Sequence, residues 1–329
     1  MEKYPLVSIV TPSFNQVRFL EYTLRSVLEQ DYPNLEYLVV DGASTDGSLE
    51  IIKKYENKLA WWVSEKDRGQ AEAINKGFRK ARGEYIAWLN SDDVYARGAV
   101  RKAVAALQTE PALGMVFSNV FSIDADNRIF NTMRYGAYGL ADLMAFNIIG
   151  QPGVFMRRVT LEQAGYMDLN YHYLLDHQLW LRIASKAPIR YVDDYFAAAR
   201  FHAGAKNVAM AAEFGREAFA ILEWMRAQPE IKPVFEANER RIMAGAYRLS
   251  ARYLLDGGLN AKALSHYLKS MWYHPATAWA ERRRMAYAAA SLILPMGKAR
   301  EKFVAERSQR VRSEILNDYE SLFNYGDQK

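Results

Sequence analysis

Along the first half of the chain, short apolar runs alternate with stretches whose apolar residues recur at helical spacing. Leu6 to Thr11 is β-rich and closes on Pro12-Ser-Phe-Asn15, after which Phe19, Tyr22, Leu24, Val27 and Leu28 mark a helix over Phe19 to Glu29. Leu35 to Val40 reads as a second strand. It ends in the turn-rich Asp41-Gly-Ala-Ser-Thr-Asp-Gly47, and Ser48 to Tyr55 follows as a helix. A strand over Leu59 to Val63, a helix over Gln70 to Ala81 and a strand over Glu84 to Leu89 repeat the unit. Strand, loop and helix at this spacing predict a parallel sheet with right-handed crossovers. Ligands of such sheets bind beyond the carboxyl ends of the strands. Thr11 to Asn15, Asp41 to Asp46 and Asn90 to Asp93 should therefore crowd one rim.

The pattern then changes. A helix over Ala99 to Gln108 precedes a strand over Gly114 to Ile123, and Asp124-Ala-Asp-Asn127 reads as a hairpin turn into Arg128 to Met133, an antiparallel edge. Asn147 to Arg157 is a loop and strand. Leu174, Leu175, Leu179, Trp180 and Ile183 give the next helix an apolar face with Asp176 at its start, and Tyr191 to Ala198 is a last strand. From about residue 210 the chain is helical in character, with a helical hairpin made of Ala237 to Leu255, a break at Asp256-Gly-Gly258, and Asn260 to Tyr273. The expected division is an α/β domain over 1–209 and a helical domain over 210–329.

With 329 residues, half of them apolar, the chain can bury a large core. Its formal charge of +5 is uneven: residues 1–209 carry 24 Lys/Arg against 24 Asp/Glu, and residues 210–329 carry 19 against 14. No nucleic-acid partner is expected. There is no cysteine, hence no disulfide framework and no thiolate metal site. The first residues read directly as a strand, and the most apolar C-terminal stretch, Ala286 to Met296, falls short of the roughly 18–20 residues of a membrane span, so a cytoplasmic protein is expected. Arg282-Arg-Arg284 before that stretch and Lys298, Arg300 and Lys302 after it suit a helix lying on an anionic membrane surface. Packing on its own domain or against a second copy of the chain is the other reading.

The stretch Tyr85-Ile-Ala-Trp-Leu-Asn-Ser-Asp-Asp-Val94 puts two adjacent carboxylates just past a strand end. Such a pair can be relieved by Mg²⁺ or Mn²⁺, hard ions that usually share their coordination shell with substrate phosphates. A solvated turn capping the next helix is the ordinary alternative. No G-x-G-x-x-G follows the first strand and no G-K-[ST] occurs, which counts against dehydrogenases and P-loop enzymes.

In this order and spacing, Val7-Ser-Ile-Val-Thr-Pro-Ser-Phe-Asn15, Val39-Val-Asp-Gly-Ala-Ser-Thr-Asp-Gly-Ser48 and Asn90-Ser-Asp-Asp93 resemble the three nucleotide-side motifs of the inverting family 2 glycosyltransferases. The resemblance covers roughly residues 5–206. It implies the GT-A fold: α/β, Rossmann-like, a mixed and mostly parallel sheet with helices on both faces, followed here by the C-terminal helical region. It also implies a nucleoside-diphosphate sugar site in which Thr11 and Asp41 contact the base, with Pro12 and Asn15 in the same motif. Asp92 would hold the ribose or the ion, and Asp93 the Mn²⁺ or Mg²⁺ that bridges the diphosphate. Asn90 departs from the pattern, because many relatives carry there the first acid of an Asp-x-Asp. Asp67, Arg68 and Gln70 fall in an Asp-x-Gly-x-x-x-Ala-x-Asn pattern that lines the family's donor pocket; a plain helix N-terminus is the alternative.

Standing alone, Asp176 at the start of its helix reads as an N-cap; but Asp176-His-Gln-Leu-Trp-Leu-Arg182 resembles the family's Glu-Asp motif, with Leu175 in place of the Glu, which implies that Asp176 is the catalytic base. Arg200-Phe-His-Ala-Gly-Ala-Lys206 resembles the closing loop and puts His202 in the metal or phosphate shell. An inverting transfer needs one base for the acceptor hydroxyl, since a metal-bound diphosphate leaves without a protein acid. The expected activity is transfer of a sugar from a nucleoside diphosphate, with uridine expected as the base and guanosine or thymidine as the alternatives, to a saccharide or lipid-linked saccharide in cell-surface polysaccharide or glycolipid synthesis. A noncatalytic nucleotide-sugar-binding or scaffold protein on the same fold is the alternative, and a homo-oligomer is compatible with both.

Overall fold

Alternation along the strands decides which residues face which layer. In β1 (Val7–Ser13), Val7 and Ile9 point to one side and Val10 to the other; in β2 (Leu35–Asp41), Tyr37 and Val39 oppose Leu38 and Val40; in β4 (Tyr85–Trp88), Tyr85 and Ala87 oppose Ile86 and Trp88. Strands apolar on both faces need cover on both faces. One layer is α1 (Val17–Leu28), α2 (Ser48–Tyr55) and α4 (Ala99–Gln108), which bury Leu20, Leu24, Ile52, Val100 and Val104 against it. On the other side lie α3 (Gln70–Lys80), α5 (Leu140–Met144), α6 (Arg158–Ala164) and α7 (Leu175–Lys186).

The computed structural model describes residues 4–202, 211–293 and 323. Its nine-stranded sheet runs β3-β2-β1-β4-β8-β6-β9-β5, with β7 (Ile129–Met133) paired to β6 (Met115–Ile123). The strands β3 (Trp61–Ser64), β2, β1 and β4 are all parallel. Next to them β8 (Val154–Arg157) runs antiparallel to both β4 and β6, so β6 and its parallel neighbour β9 (Ile189–Arg200) regain the direction of β1. The short β5 (Val94–Tyr95) closes the edge against β9. This topology brings Ser13, Asp41, Ser64, Trp88, Ile123 and Arg200, the last residues of six strands, to one edge, and β8 begins there. The three polar clusters of the sequence do share that rim.

Beyond the sheet, α8 (Ala211–Ala227) and α9 (Lys232–Asp256) bury Phe214, Ile221, Leu222, Phe235, Ile242 and Leu249 in the same apolar core as Trp88 and Trp180. Gly245 makes this approach possible. A Cβ there would lie 2.0 Å from the Ala145 carbonyl oxygen, so α9 crosses the end of α5 backbone against backbone, and Arg248 on the same face donates to the Phe146 carbonyl at 2.9 Å and to Asn147 Oδ1 at 3.0 Å. A smaller cluster joins α9 to α10 (Asn260–Tyr273) and α12 (Arg282–Ala290) through Leu254, Leu255, Ala263, Tyr267 and Ala288, with the short α11 (Pro275–Trp279) between them in the chain.

The helical hairpin breaks at Gly258, whose φ of 77° suits glycine, and α9 begins five residues before the predicted Ala237, with Pro233 in its first turn where a missing N–H costs nothing. In the α/β part, the elements that periodicity did not predict, β5, α5 and α6, are two to seven residues long, and of the helical part α8 and α11 were not singled out. No helix among the described residues is long and apolar enough to cross a membrane. The division at 209/210, Lys206, and the basic and apolar residues from 294 to 302 lie outside the described residues.

Candidate functional site at the carboxyl rim of the sheet

Register sets the first part of the rim. Ser13, Asp41 and Ser64 are aligned across β1, β2 and β3. Buried Asp41 would be costly without partners, and it has three: Ser64 Oγ donates to Oδ2 at 2.6 Å, the Ser44 amide to Oδ2 at 2.9 Å, and Ser44 Oγ to Oδ1 at 2.5 Å. Asn15, at a φ of 51°, ties the first loop to the second: its amide donates to Ser44 Oγ at 2.8 Å and its Oδ1 accepts the Thr45 amide at 2.9 Å. Asp46 completes the tie by accepting the Val17 amide at 2.9 Å; burial opposes its charge, but bonds from Ser48 and from backbone amides hold its carboxyl below the ordinary range. Asp67 accepts the Gly69 amide at 2.8 Å and leans over Gly42, where a Cβ would meet Asp67 Oδ2 at 2.8 Å and Phe14 at 3.2 Å.

Other residues of these motifs face elsewhere. Thr11 and Pro12 are buried within β1, and the Thr11 hydroxyl is bonded to the Tyr37 hydroxyl at 2.8 Å. Arg68 is exposed and paired with Glu72 one helical turn on. Gln70 does reach the rim, where its Nε2 donates to Asn90 Oδ1 at 2.7 Å.

Asn90 is the hub of the second part. Its Nδ2 donates to Gln151 Oε1 at 3.1 Å and to Asp93 Oδ2 at 3.2 Å, while Gln151 Nε2 donates to the Trp88 carbonyl at 2.8 Å. Asp93 is only 5% exposed and turned inward, its Oδ1 accepting the Arg200 amide at 2.9 Å. Burial, with the Asp92 carboxylate beside it, pushes the Asp93 carboxyl well above the ordinary carboxylate range. Asp92 faces the rim, its Oδ2 lying 3.2 Å from His202 Nε2. Arg200 backs both acids: Nε donates to the Asp92 carbonyl at 2.7 Å, Nη1 to the Asp124 carbonyl at 2.9 Å, and the guanidinium lies over the Phe19 ring at 4.7 Å.

Among the described residues no three His, Cys, Asp or Glu side chains gather into a complete metal site. What the rim offers is a carboxylate and an imidazole 3.2 Å apart, each only partly exposed, with a second acid beside them whose ionisation is disfavoured. That donor set fits a divalent ion that draws its remaining ligands from a phosphate-bearing substrate.

Asp176 belongs to the third part, in the first turn of α7. Trp180, one turn further on, stacks on Trp88 with ring centroids 5.1 Å apart, which pins the start of α7 beside the strand that leads to Asn90. The Asp176 carboxylate accepts one bond, from the His177 amide at 2.7 Å. Burial pushes its pKa up to about 6, against that bond and with a contribution from the Glu217 carboxylate. His177 points into the core, where it stacks with Phe146 and burial drives its pKa down to about 4, so it is a neutral packing residue. Glu217 carries no motif that sequence reading singles out, and Gln151 lies in the Asn147 to Arg157 loop and strand without standing out in it. Gln151 sits in Gln151-Pro-Gly153 ahead of β8, and its signal is the polar residue at a strand's rim-side start.

A family model for glycosyl transferase family 2 matches residues 8–165. The chain is 31% identical over 188 residues to a putative teichuronic acid biosynthesis glycosyltransferase, TuaG, of Bacillus subtilis (strain 168), covering 55% of this chain and 73% of TuaG. It is 30% identical over 209 residues to the Escherichia coli UDP-Glc:alpha-D-GlcNAc-diphosphoundecaprenol beta-1,3-glucosyltransferase WfaP, covering 60% of this chain and 78% of WfaP. Some curated relatives are longer, and the chain spans 28% of one of them, a chondroitin synthase of Escherichia coli. Among solved structures, the mannosyltransferase PcManGT from Pyrobaculum calidifontis, in complex with GDP-Man and Mn2+, superposes with a TM-score of 0.59 at 20% identity, over 96% of this chain and 88% of that one.

Proposed function

Because the chain belongs to glycosyl transferase family 2, we propose that it transfers a sugar from a nucleoside-diphosphate donor, UDP-linked, to a hydroxyl of a saccharide or lipid-linked saccharide, with inversion, in the synthesis of a cell-surface polysaccharide. The observation that carries this reading is the single carboxylate Asp176, short of hydrogen-bond donors, on a helix pinned to the strand that ends in the Asp92–His202 rim.

The Asp41 loop, tied by Asn15, Ser44 and Ser64, offers a fixed acceptor for the N–H groups of a base. Asp92, Asp93 and His202 would hold Mn²⁺ or Mg²⁺, which when bound stabilises the negative charge on the departing diphosphate. Asp176 takes the proton of the acceptor hydroxyl onto its carboxylate as the oxygen attacks the anomeric carbon, and a pKa of about 6 leaves it ionised at neutral pH yet basic enough to serve. The acceptor named for WfaP is lipid-linked. For this chain the exposed Arg282 and Arg283 support work on an anionic membrane surface, whereas Arg284 is taken up by Asp256 and Glu281.

A thermal-shift panel of nucleoside diphosphates with and without Mn²⁺ tests the reading. UDP at about 100 times its dissociation constant should stabilise the protein by about 2.7 kcal/mol with Mn²⁺ and less in EDTA, and Asp93→Ala should remove the difference. No stabilisation by any nucleotide would overturn the donor assignment, and full transfer activity in EDTA would overturn the metal.

A further inference from the structure

Leu174 stands at the N-cap of α7 and, being aliphatic, supplies no side-chain acceptor to the first turn, where Asp176 takes the His177 amide. The segment leading into the helix is held from another element. Glu217, in the middle of α8, accepts the His172 amide on Oε1 at 2.6 Å and the Tyr173 and Leu174 amides on Oε2 at 2.8 and 2.7 Å. Three consecutive amides on one carboxylate is a charge-assisted clamp, and its negative charge suits the positive end of α7. One turn earlier on α8, Phe214 packs against Tyr173, centroids 5.3 Å apart, and stacks on Tyr253 of α9 at 4.1 Å. Backbone and side chain of the same short segment are thus gripped by two residues of one helix, i and i+3.

The next residue but one after the clamped amides is Asp176. Resting on the reading of Asp176 as the base, we propose that Glu217 is a positioning residue for the transfer: it holds residues 172–174 and so aims the Asp176 carboxylate, making α8 part of the catalytic apparatus. Two features separate this from ordinary packing. The clamp acts on backbone amides directly before the reacting group, with no catalytic or rim residue touched by Glu217 itself. And Glu217 is the anion facing Asp176 from α8; from the other elements packed around it the titratable groups are Tyr135, after β7, and Tyr253 of α9, with Arg252 near both tyrosines. The clamp therefore leaves an electrostatic mark on the base besides fixing its place.

The test uses the full chain and follows UDP release from UDP-glucose in Mn²⁺, with water or added saccharides as acceptor. Glu217→Gln keeps the shape and one acceptor oxygen, but its NH₂ opposes one of the three amides. It should lower kcat about tenfold, leave donor affinity unchanged and move the acid limb of the kcat–pH profile to lower pH. Glu217→Ala should lower kcat by about 100-fold, the scale of a misplaced catalytic group, and raise the hydrogen-exchange rates of the 172–174 amides; if that variant does not fold, the Gln variant decides alone. In an Asp176→Asn background Glu217→Gln should cost nothing further. Unchanged kcat in Glu217→Gln, or a loss that persists undiminished in the Asp176→Asn background, overturns the positioning role while leaving the base in place. Near-normal kcat in Asp176→Asn alone overturns the base and the positioning role together.

Discussion

Asp41 and Asp176 are two acids of the proposed site, and the protein surrounds them in opposite ways. Asp41 takes three hydrogen bonds from neutral donors that lie in its own loop or on the neighbouring strand. Asp176 takes one, from the next amide in the chain, and has a second carboxylate for company. A carboxylate so well provided for has little appetite for a proton and makes a rigid recognition element. One kept short of donors, in a buried setting, is poised to accept a proton. The same contrast extends to support: the Asp41 loop is tied by residues within about fifty positions of it, whereas the approach to Asp176 is held by Glu217, on a helix beyond the last strand of the sheet.

The strongest way to break this comparison is Asp176→Asn. It should keep the affinity for UDP, measured by calorimetry, while turnover falls by on the order of 10²–10⁴-fold, the usual worth of a positioned base. A matching loss of affinity would mean that the two acids share one role. Next in size is pH. With the base at about 6, kcat should drop tenfold per unit below that value and level off above it, whereas UDP affinity should show no inflection there.

The same shift has a stability counterpart, opposite in sign to that of a paired acid. The folded value lies above the unfolded one of about 3.9, so the folded state favours the protonated form; its cost is absent below about pH 4 and complete above about pH 6. Asp176→Asn should therefore melt higher than wild type at pH 7 and equally at pH 4, by calorimetry. The smallest effect belongs to Ser64→Ala, which removes one of three donors to Asp41. It should cost about 1 kcal/mol of stability and a few-fold in UDP affinity, with kcat at saturation untouched.

The contrast also explains what could be read in the sequence. β1, β2 and β4 are runs of β-branched and aromatic residues that stop at a polar cluster, and a parallel sheet sends every such stop to the same edge, so the Asp41 side of the rim was legible from periodicity alone. The Asp124 hairpin was legible too, because Asp124 Oδ1 takes the amides of Asp126 and Arg128 and Asn127 sits at a φ of 64°, all within five residues. Long-range partnerships left no such trace. Thr11 carries the right side chain for a ligand contact, yet the Tyr37 hydroxyl, fixed by strand register, claims it. Asp92 and Asp93 read alike as acids for a metal or a ribose, and the Arg200 amide, from the far end of β9, turns Asp93 inward. Glu217 is one more acidic residue in a helical stretch until the fold brings residues 172–174 to it.

Gly245 bears on how such a protein can be recombined. A foreign helical tail joined to this sheet would need a residue without a side chain opposite the Ala145 carbonyl, and an arginine three positions later to take the Phe146 carbonyl and the Asn147 side chain. Alanine at 245 would already push its helix away from the end of α5. The helix paired with it would move as well, since Gly215 of α8 lies so near α9 that a Cβ would sit 2.5 Å from Ser250 Oγ. A graft made without regard to these two glycines would keep the polar rim of the sheet and leave the segment before α7 without the Glu217 carboxylate that holds it.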